Sequence, residues 1–220
     1  MDKIYPDSEV ELNPWLAKHY DKIMNIASLG FYIRFIHKAI SSMDISPNDK
    51  ILDFGAGTGR NALLMNKYLS ERGEIVGLDI SDNMIKRFKE KTKKFPNISI
   101  KNKRIDQPID FEKRYDKVFI SFALHGFPQE IRKIIINNAF NGLKEEGEFI
   151  ILDYNEVVLN ETPFYFRTIF KAVECKYAFD FIKRDWKKIL GSYGFNEFEE
   201  KTFFLKYVRL LKAKKIGERK

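Results

Sequence analysis

The chain has almost no cysteine: Cys175 stands alone in 220 residues. A lone thiol excludes an intramolecular disulfide and any metal site built from several cysteines. Long apolar runs are missing too, so nothing matches the roughly 20 apolar residues of a membrane-spanning helix. Met1 to Glu11 are charged and contain Pro6, which is not the pattern of a secretory signal. These absences lead to the expectation of a cytoplasmic protein. No glycine run ends in Gly-Lys-Ser or Gly-Lys-Thr, which excludes the phosphate-binding P-loop. No internal repeat or low-complexity segment divides the chain.

What is present describes a globular chain, with 44% hydrophobic and 32% charged residues. One domain is the default at this length, with ample chain for a core. Lys+Arg 39 against Asp+Glu 31 leaves a net charge of +8. Such a charge suits nucleic acid, or peripheral contact with an anionic membrane surface. The basic residues Lys86-Arg87, Lys89, Lys91 and Lys93-Lys94 are interrupted by Phe88 and Glu90 at helical spacing, as on a solvated helix face. Lys212, Lys214, Lys215, Arg219 and Lys220 read as a basic tail. The spread argues against a dedicated nucleic-acid surface without removing it. Oligomeric state has no signal here.

The chemistry gathers at Ile51-Leu52-Asp53-Phe54-Gly55-Ala56-Gly57-Thr58-Gly59-Arg60. This is a short apolar strand ending near an acid, then a glycine-rich turn, then a helix. Glycines let the backbone turn tightly and approach a ligand, and the next helix offers free N–H groups to it. A dinucleotide fingerprint needs a third glycine where Arg60 stands. Asp53 would repel a pyrophosphate and favour a cationic group instead.

Around that loop, strands and helices alternate. Asn13 caps a helix opening at Pro14, and Phe31, Phe35 and Ile36 continue helical spacing past a break at Ser28-Leu29-Gly30. A helix over 61–69 follows the loop, then a strand over 74–78 ending on Asp79 and a helix over 84–94. Strands are expected from Ile98 to about Lys101, over 116–122, and over 148–152 ending on Asp153, with a helix over 128–143 before the last. Residues 156–182 are aromatic-rich and read as a helical insertion. A helix over 184–193 and two strands, about 197–204 and 206–212, close the chain. The pattern is that of a parallel, doubly wound sheet. Ligands of such sheets lie beyond the carboxyl ends of the strands, where Asp53, Asp79 and Asp153 all fall. Asp79 also stands about twenty residues past the loop, the spacing of an acid that accepts from ribose hydroxyls. His125, in Phe122-Ala123-Leu124-His125-Gly126-Phe127-Pro128 after the fourth strand, is a candidate general base or a brace for the next helix.

Asp53-x-Gly55-x-Gly57-x-Gly59 resembles the first motif of class I S-adenosylmethionine-dependent methyltransferases. Tyr115-Asp116-Lys117-Val118 is similar to the opening of their fourth strand. His19-Tyr20-Asp21-Lys22-Ile23-Met24-Asn25-Ile26-Ala27-Ser28-Leu29-Gly30 resembles a lead-in of the ubiquinone and menaquinone biosynthesis C-methyltransferases, with one extra residue after Asp21. The resemblance implies an α/β, Rossmann-like doubly wound sheet of seven strands, mostly parallel with an antiparallel last strand and helices on both faces. It implies a helical lid over 1–46 and the methyltransferase domain over 47–220. Asp53, Gly55, Ala56, Gly57, Thr58 and Gly59 would hold the methionine part of S-adenosylmethionine, whose ammonium and sulfonium are positive. Asp79 would take the ribose, Ile80 and Met84 would flank the adenine, and Tyr20 would cover the cofactor. Ile105 and Ser121 join this set at the ends of strands three and four. Asp106 is the candidate for the adenine amino group, although an alignment on Pro108 puts Lys103 there.

The resemblance implies methyl transfer to a small, aromatic or apolar acceptor, with a quinone precursor as one form of it. Its C-terminal Phe-Pro-Asp and Gly-Gly-Ile segments have no counterpart in 176–212, so the acceptor stays open. His125 or Tyr20 would serve as base where the acceptor must lose a proton. No metal is expected, because strand four ends in Ser121-Phe122 without a carboxylate cluster. An RNA acceptor, supported by charge alone, and a non-catalytic cofactor-binding module are the competing readings.

Overall fold

A computed structural model describes residues 31–111 and 113–216 of the chain. The expected lid over 1–46 therefore falls mostly outside the described residues, and Tyr20 with it. The first described helix, α1 (Phe31–Ile40), buries Tyr32, Phe35, Ile36, Ala39 and Ile40. That spacing is one apolar stripe along a helix.

The core is a seven-stranded sheet: β1 (Lys50–Phe54), β2 (Glu74–Asp79), β3 (Ile98–Asn102), β4 (Tyr115–Ser121), β5 (Leu143–Tyr154), β6 (Phe195–Phe203) and β7 (Val208–Lys215). Its order is β3-β2-β1-β4-β5-β7-β6. Strands β1 to β5 pair in parallel, while β7 runs antiparallel to both β5 and β6. The helices between strands are α2 (Arg60–Met65), α3 (Asp82–Thr92) and α4 (Gln129–Gly142). The insertion supplies α5 (Phe164–Val173) and α6 (Lys176–Phe181), followed by α7 (Trp186–Gly191).

Alternation along each strand divides the core in two. Leu52, Phe54, Val118, Ile120, Phe149 and Ile151 face α4, α6 and α7. Ile51, Ile75, Phe119, Ile150 and Leu152 face the other way, toward α1, α2 and Phe88 of α3. Ligand-side loops thus rise from a sheet packed on both faces.

Three stretches depart from the sequence expectation. Strand β5 begins at Leu143, directly after α4, not at Glu148. A Cβ on Gly147 would sit 3.0 Å from the Lys144 carbonyl oxygen and 3.1 Å from that of Asp116, so the glycine closes a bulge, with Glu146 at φ 66°, after which β5 rejoins β4. The helix after the glycine loop ends at Met65 and tightens into a 3₁₀ turn over Asn66–Tyr68. The C-terminal hairpin places its second strand innermost, and β7 reaches Lys215. Lys212 and Lys215 are therefore buried sheet residues and not a solvated tail. Lys212 pairs with Asp44 and Glu199, and Lys215 Nζ donates to the Phe140 and Leu143 carbonyls at 3.1 and 2.9 Å. Buried cations persist only when satisfied in this way.

Candidate active site

The glycine loop joins the end of β1 to α2. Gly55, Gly57 and Gly59 all have positive φ, at 68°, 55° and 80°. A Cβ on Gly59 would also lie 2.9 Å from Phe88 Cδ2, so that position needs glycine on two counts. The backbone N–H groups of Gly55 and Ala56 both donate to the Leu78 carbonyl, at 2.9 and 3.0 Å. Gly57 N–H donates to Asp79 Oδ2 at 2.8 Å, and Ser81 N–H to Asp79 Oδ1 at 2.9 Å. The carboxylate at the end of β2 thus holds the loop in shape. Lys91 Nζ donates to the buried Thr58 Oγ1 at 2.9 Å. Gly77 in β2 was not foreseen: a Cβ there would come within 2.7 Å of Ala56 Cβ and 3.0 Å of Phe88 Cε2.

Asp53 lies beneath this loop, 1% exposed. Its Oδ2 has no hydrogen-bond partner among the described residues. Burial, reinforced by the charge of Asp79, pushes its carboxyl up to about 8. Asp79 is also raised, by burial, against the hydrogen bonds from Ser81 and Gly57. An isolated buried carboxylate is expensive, and a bound cation offsets that cost. The loop therefore fits a ligand that brings positive charge to Asp53. S-adenosylmethionine carries two such groups, so the residues present fit that cofactor.

On the side where the sequence places the adenine, Ile80 is 37% exposed at the end of β2, and Met84 is buried in the first turn of α3 under the Ser81 cap. Ile105 and Asp106 are buried after β3, whereas Lys103 is exposed. Asp106 Oδ1 accepts from Arg104 Nε at 3.0 Å, and Asp106 Oδ2 accepts from the same guanidinium. Asn138 of α4, another residue the sequence did not flag, clamps this loop. Its Nδ2 donates to the Ile105 and Gln107 carbonyls at 2.8 and 2.7 Å, and its Oδ1 accepts from Ile109 N–H at 2.9 Å.

The acceptor side begins where Ser121 ends β4. A Cβ on Gly55 would lie 3.6 Å from Ala123 Cβ, so the post-β4 loop abuts the glycine loop. Two residues on, His125 Nδ1 lies 2.7 Å from Asp153 Oδ1 of β5. Its Nε2 lies 3.5 Å from Glu174 Oε2, between α5 and α6. Burial pushes His125 down, but Asp153 and then Glu174 outweigh it and hold the imidazole above its ordinary value. Arg132 of α4, fully buried, donates to the carbonyls of Leu124, His125 and Tyr177, at 3.2, 2.9 and 2.6 Å, and to Asp180 Oδ2 at 2.6 Å. Phe122, Tyr154 and Phe170 form an edge-to-face series, with centroids 6.3 and 5.2 Å apart. Neither Arg132 nor Glu174 carries a local signal, since their partners lie up to 48 and 49 residues away in sequence.

A seven-stranded sheet of this order, with a glycine loop and acids at the strand ends, defines a Rossmann-like methyltransferase fold. The profile of a family described as "Methyltransferase domain" matches residues 45–196, and the chain belongs to that family. It is an S-adenosylmethionine-dependent methyltransferase. A demethylmenaquinone methyltransferase of Staphylococcus carnosus is 28% identical over 207 residues, 86% of this chain and 85% of the relative. Another, from Lysinibacillus sphaericus, is 26% identical over 162 residues, covering 72% of this chain and 67% of the relative. Among solved structures, an S-adenosylmethionine-dependent methyltransferase from Aquifex aeolicus superposes with TM-score 0.66 at 16% identity, covering 94% of this chain and all of that one. Human N-acetylserotonin methyltransferase with its cofactor gives 0.69 at 13% identity, over 93% of this chain and 57% of that one.

Proposed function

We propose that the chain methylates a small, flat, apolar or aromatic acceptor of the quinone-precursor kind for which its bacterial relatives are named. The observation that carries the cofactor half is the bare carboxylate of Asp53, buried beside Asp79 under the glycine loop. S-adenosylmethionine, when bound, supplies an electrophilic methyl group on a cationic sulfur. Asp53 and residues Gly55, Ala56, Gly57, Thr58 and Gly59 hold its methionine end, and Asp79 accepts from the ribose while keeping the loop in place. Ile80, Met84, Ile105 and Asp106 enclose the adenine, and Ser121 closes the site at the end of β4. Phe122, Tyr154 and Phe170 offer the acceptor a wall of aromatic edges, which suits a flat ring and excludes water. Positioning supplies most of the acceleration in a transfer of this kind. His125 serves as base for an acceptor that must lose a proton, and Tyr20, with the segment 1–46, covers the bound cofactor. A cytoplasmic location belongs to the same reading, in keeping with a single cysteine in 220 residues.

Calorimetric titration tests this directly. S-adenosylmethionine and S-adenosylhomocysteine should both bind, and failure of both ends the proposal. Asp79→Ala should weaken that binding by about tenfold or more, roughly 1.4 kcal/mol. Unchanged affinity would remove the ribose assignment. The RNA reading loses part of its support, because Lys212 and Lys215 of the supposed basic tail are buried in β7.

A further inference from the structure

The imidazole of His125 is held unequally on its two sides. Asp153 Oδ1 lies 2.7 Å from Nδ1, a full hydrogen bond. The same carboxylate also accepts backbone N–H groups, His125 N at 3.2 Å on Oδ2 and Tyr154 N at 2.8 Å on Oδ1. It is an acceptor on every side, so Nδ1 carries the proton. On the far side, Glu174 Oε2 stands 3.5 Å from Nε2, beyond a good hydrogen bond, while its Oε1 accepts from the Tyr154 hydroxyl. The nitrogen that a substrate could use is thus the loosely held one.

The elements around it divide the same way. Arg132 ties the His125 carbonyl to Tyr177 and Asp180, fixing the post-β4 loop to α6. Glu174 belongs to neither tie. It lies with Cys175 in the two-residue joint between α5 and α6. Turning away from Nε2 would cost it the Tyr154 hydroxyl but none of the ties between α6 and the loop.

We propose that Asp153 and Glu174 are positioning residues for His125: Asp153 sets the tautomer, and Glu174 occupies Nε2 until the methyl acceptor displaces it. This inference rests on the methyltransferase reading above. Among the described residues, the groups facing the imidazole are Asp153 from β5, Glu174 from the joint, Arg132 from α4, and the ring edges of Tyr154 and Phe181. With both carboxylates in place the imidazolium is favoured. With Glu174 withdrawn, burial and Arg132 weigh against a single carboxylate, and the Nε2 proton is held less tightly and is lost to solvent more readily. The acceptor's proton then passes to Nε2, its bonding pair stays on the acceptor as the nucleophilic pair, and the imidazolium keeps donating Nδ1–H to Asp153. After turnover the proton leaves to solvent and Glu174 returns. The joint between α5 and α6 thereby keeps the base protonated while no acceptor is bound.

The chain has only three histidines, so ¹⁵N-histidine NMR can follow each imidazole, with His125→Gln making the assignment. In Glu174→Gln the His125 titration should fall by about one pH unit, a tenfold loss of proton affinity, with Nδ1 still protonated above it. In Asp153→Asn the titration should fall and the tautomer preference should vanish. For turnover, the probe is methyl transfer to 1,4-dihydroxynaphthalene. The acid limb of its kcat/KM profile, which reports the free enzyme, should move down by about one unit in Glu174→Gln while that of kcat stays in place, and His125→Gln should lose about 100-fold in kcat. A His125 titration unmoved in Glu174→Gln overturns the proposal, as does His125→Gln turning over within about threefold of the natural chain. S-adenosylhomocysteine binding separates the two failures. Its loss in the natural chain sinks the methyltransferase reading, whereas intact binding with an unmoved titration sinks only the role of Glu174.

Discussion

The two halves of the site are built on opposite principles. Around the glycine loop, backbone does the holding: Gly55, Ala56 and Gly57 are fixed by one carbonyl and one carboxylate, and Asp53 is left bare. Beyond β4, side chains do the holding, with the Arg132 guanidinium donating to five separate groups and His125 lying between two carboxylates. One half is incomplete until a cation arrives; the other is internally satisfied and must be opened. On the proposed reading the contrast teaches that cofactor and acceptor are admitted by different means, one by filling a deficit and one by displacing a contact.

The largest expected effect comes from cutting the saturated half. Arg132→Met takes this donor from three carbonyls, while Asp180 keeps Arg184, and should cost about 3 kcal/mol. At this chain length that lowers the thermal midpoint by roughly 10 °C. Calorimetry on the folded variant should still show S-adenosylhomocysteine binding, and a matching loss of binding would erase the contrast. Asn138→Ala strikes the seam between the halves. It unpairs Ile105, Gln107 and Ile109 at once, for about 3 kcal/mol by thermal melting, and should weaken cofactor binding as well. Gly77→Ala pushes a methyl into Ala56 and Phe88 and should cost about 2 kcal/mol, with cofactor affinity falling in step. Arg132→Met should show no such fall.

The smallest effect is the most specific to the bare half. Asp53 is raised to about 8 in the folded chain, against 3.8 in its ordinary state. Its contribution to stability is therefore full below pH 3.8 and is lost as pH rises through about 8. A cationic ligand requires the ionised form, so binding near pH 7 should release up to one proton. Titrations in two buffers of different ionisation enthalpy would measure it. Asp53→Asn should abolish the release, and an unchanged release would assign the proton elsewhere.

Much of this was legible in the sequence because it is local. Asp53 and Asp79 sit at the ends of apolar runs, and with them three alternating glycines point past a plain turn to a close backbone approach. The seven strands, mostly parallel with an antiparallel last one, followed from the resemblance and from alternation. What stayed hidden depends on contacts across the sheet. Gly77 reads as an ordinary strand residue until Ala56 and Phe88 are seen against it. Arg132 and Asn138 read as solvated positions on a helix, and only the loops they fasten explain their burial. Lys212 and Lys215 look like a tail because their partners, Asp44, Glu199 and two carbonyls, are remote in sequence.

Phe88 links features that were described separately. Its ring fills the space that Gly59 in the loop and Gly77 in β2 both leave open. In evolutionary terms the ring adds a second lock to each glycine and does not hold either alone. A smaller residue at 88 would leave Gly59 bound by its left-handed backbone and Gly77 by the Ala56 methyl. Lineages descending from this sequence should therefore lose Phe88 before they lose either glycine.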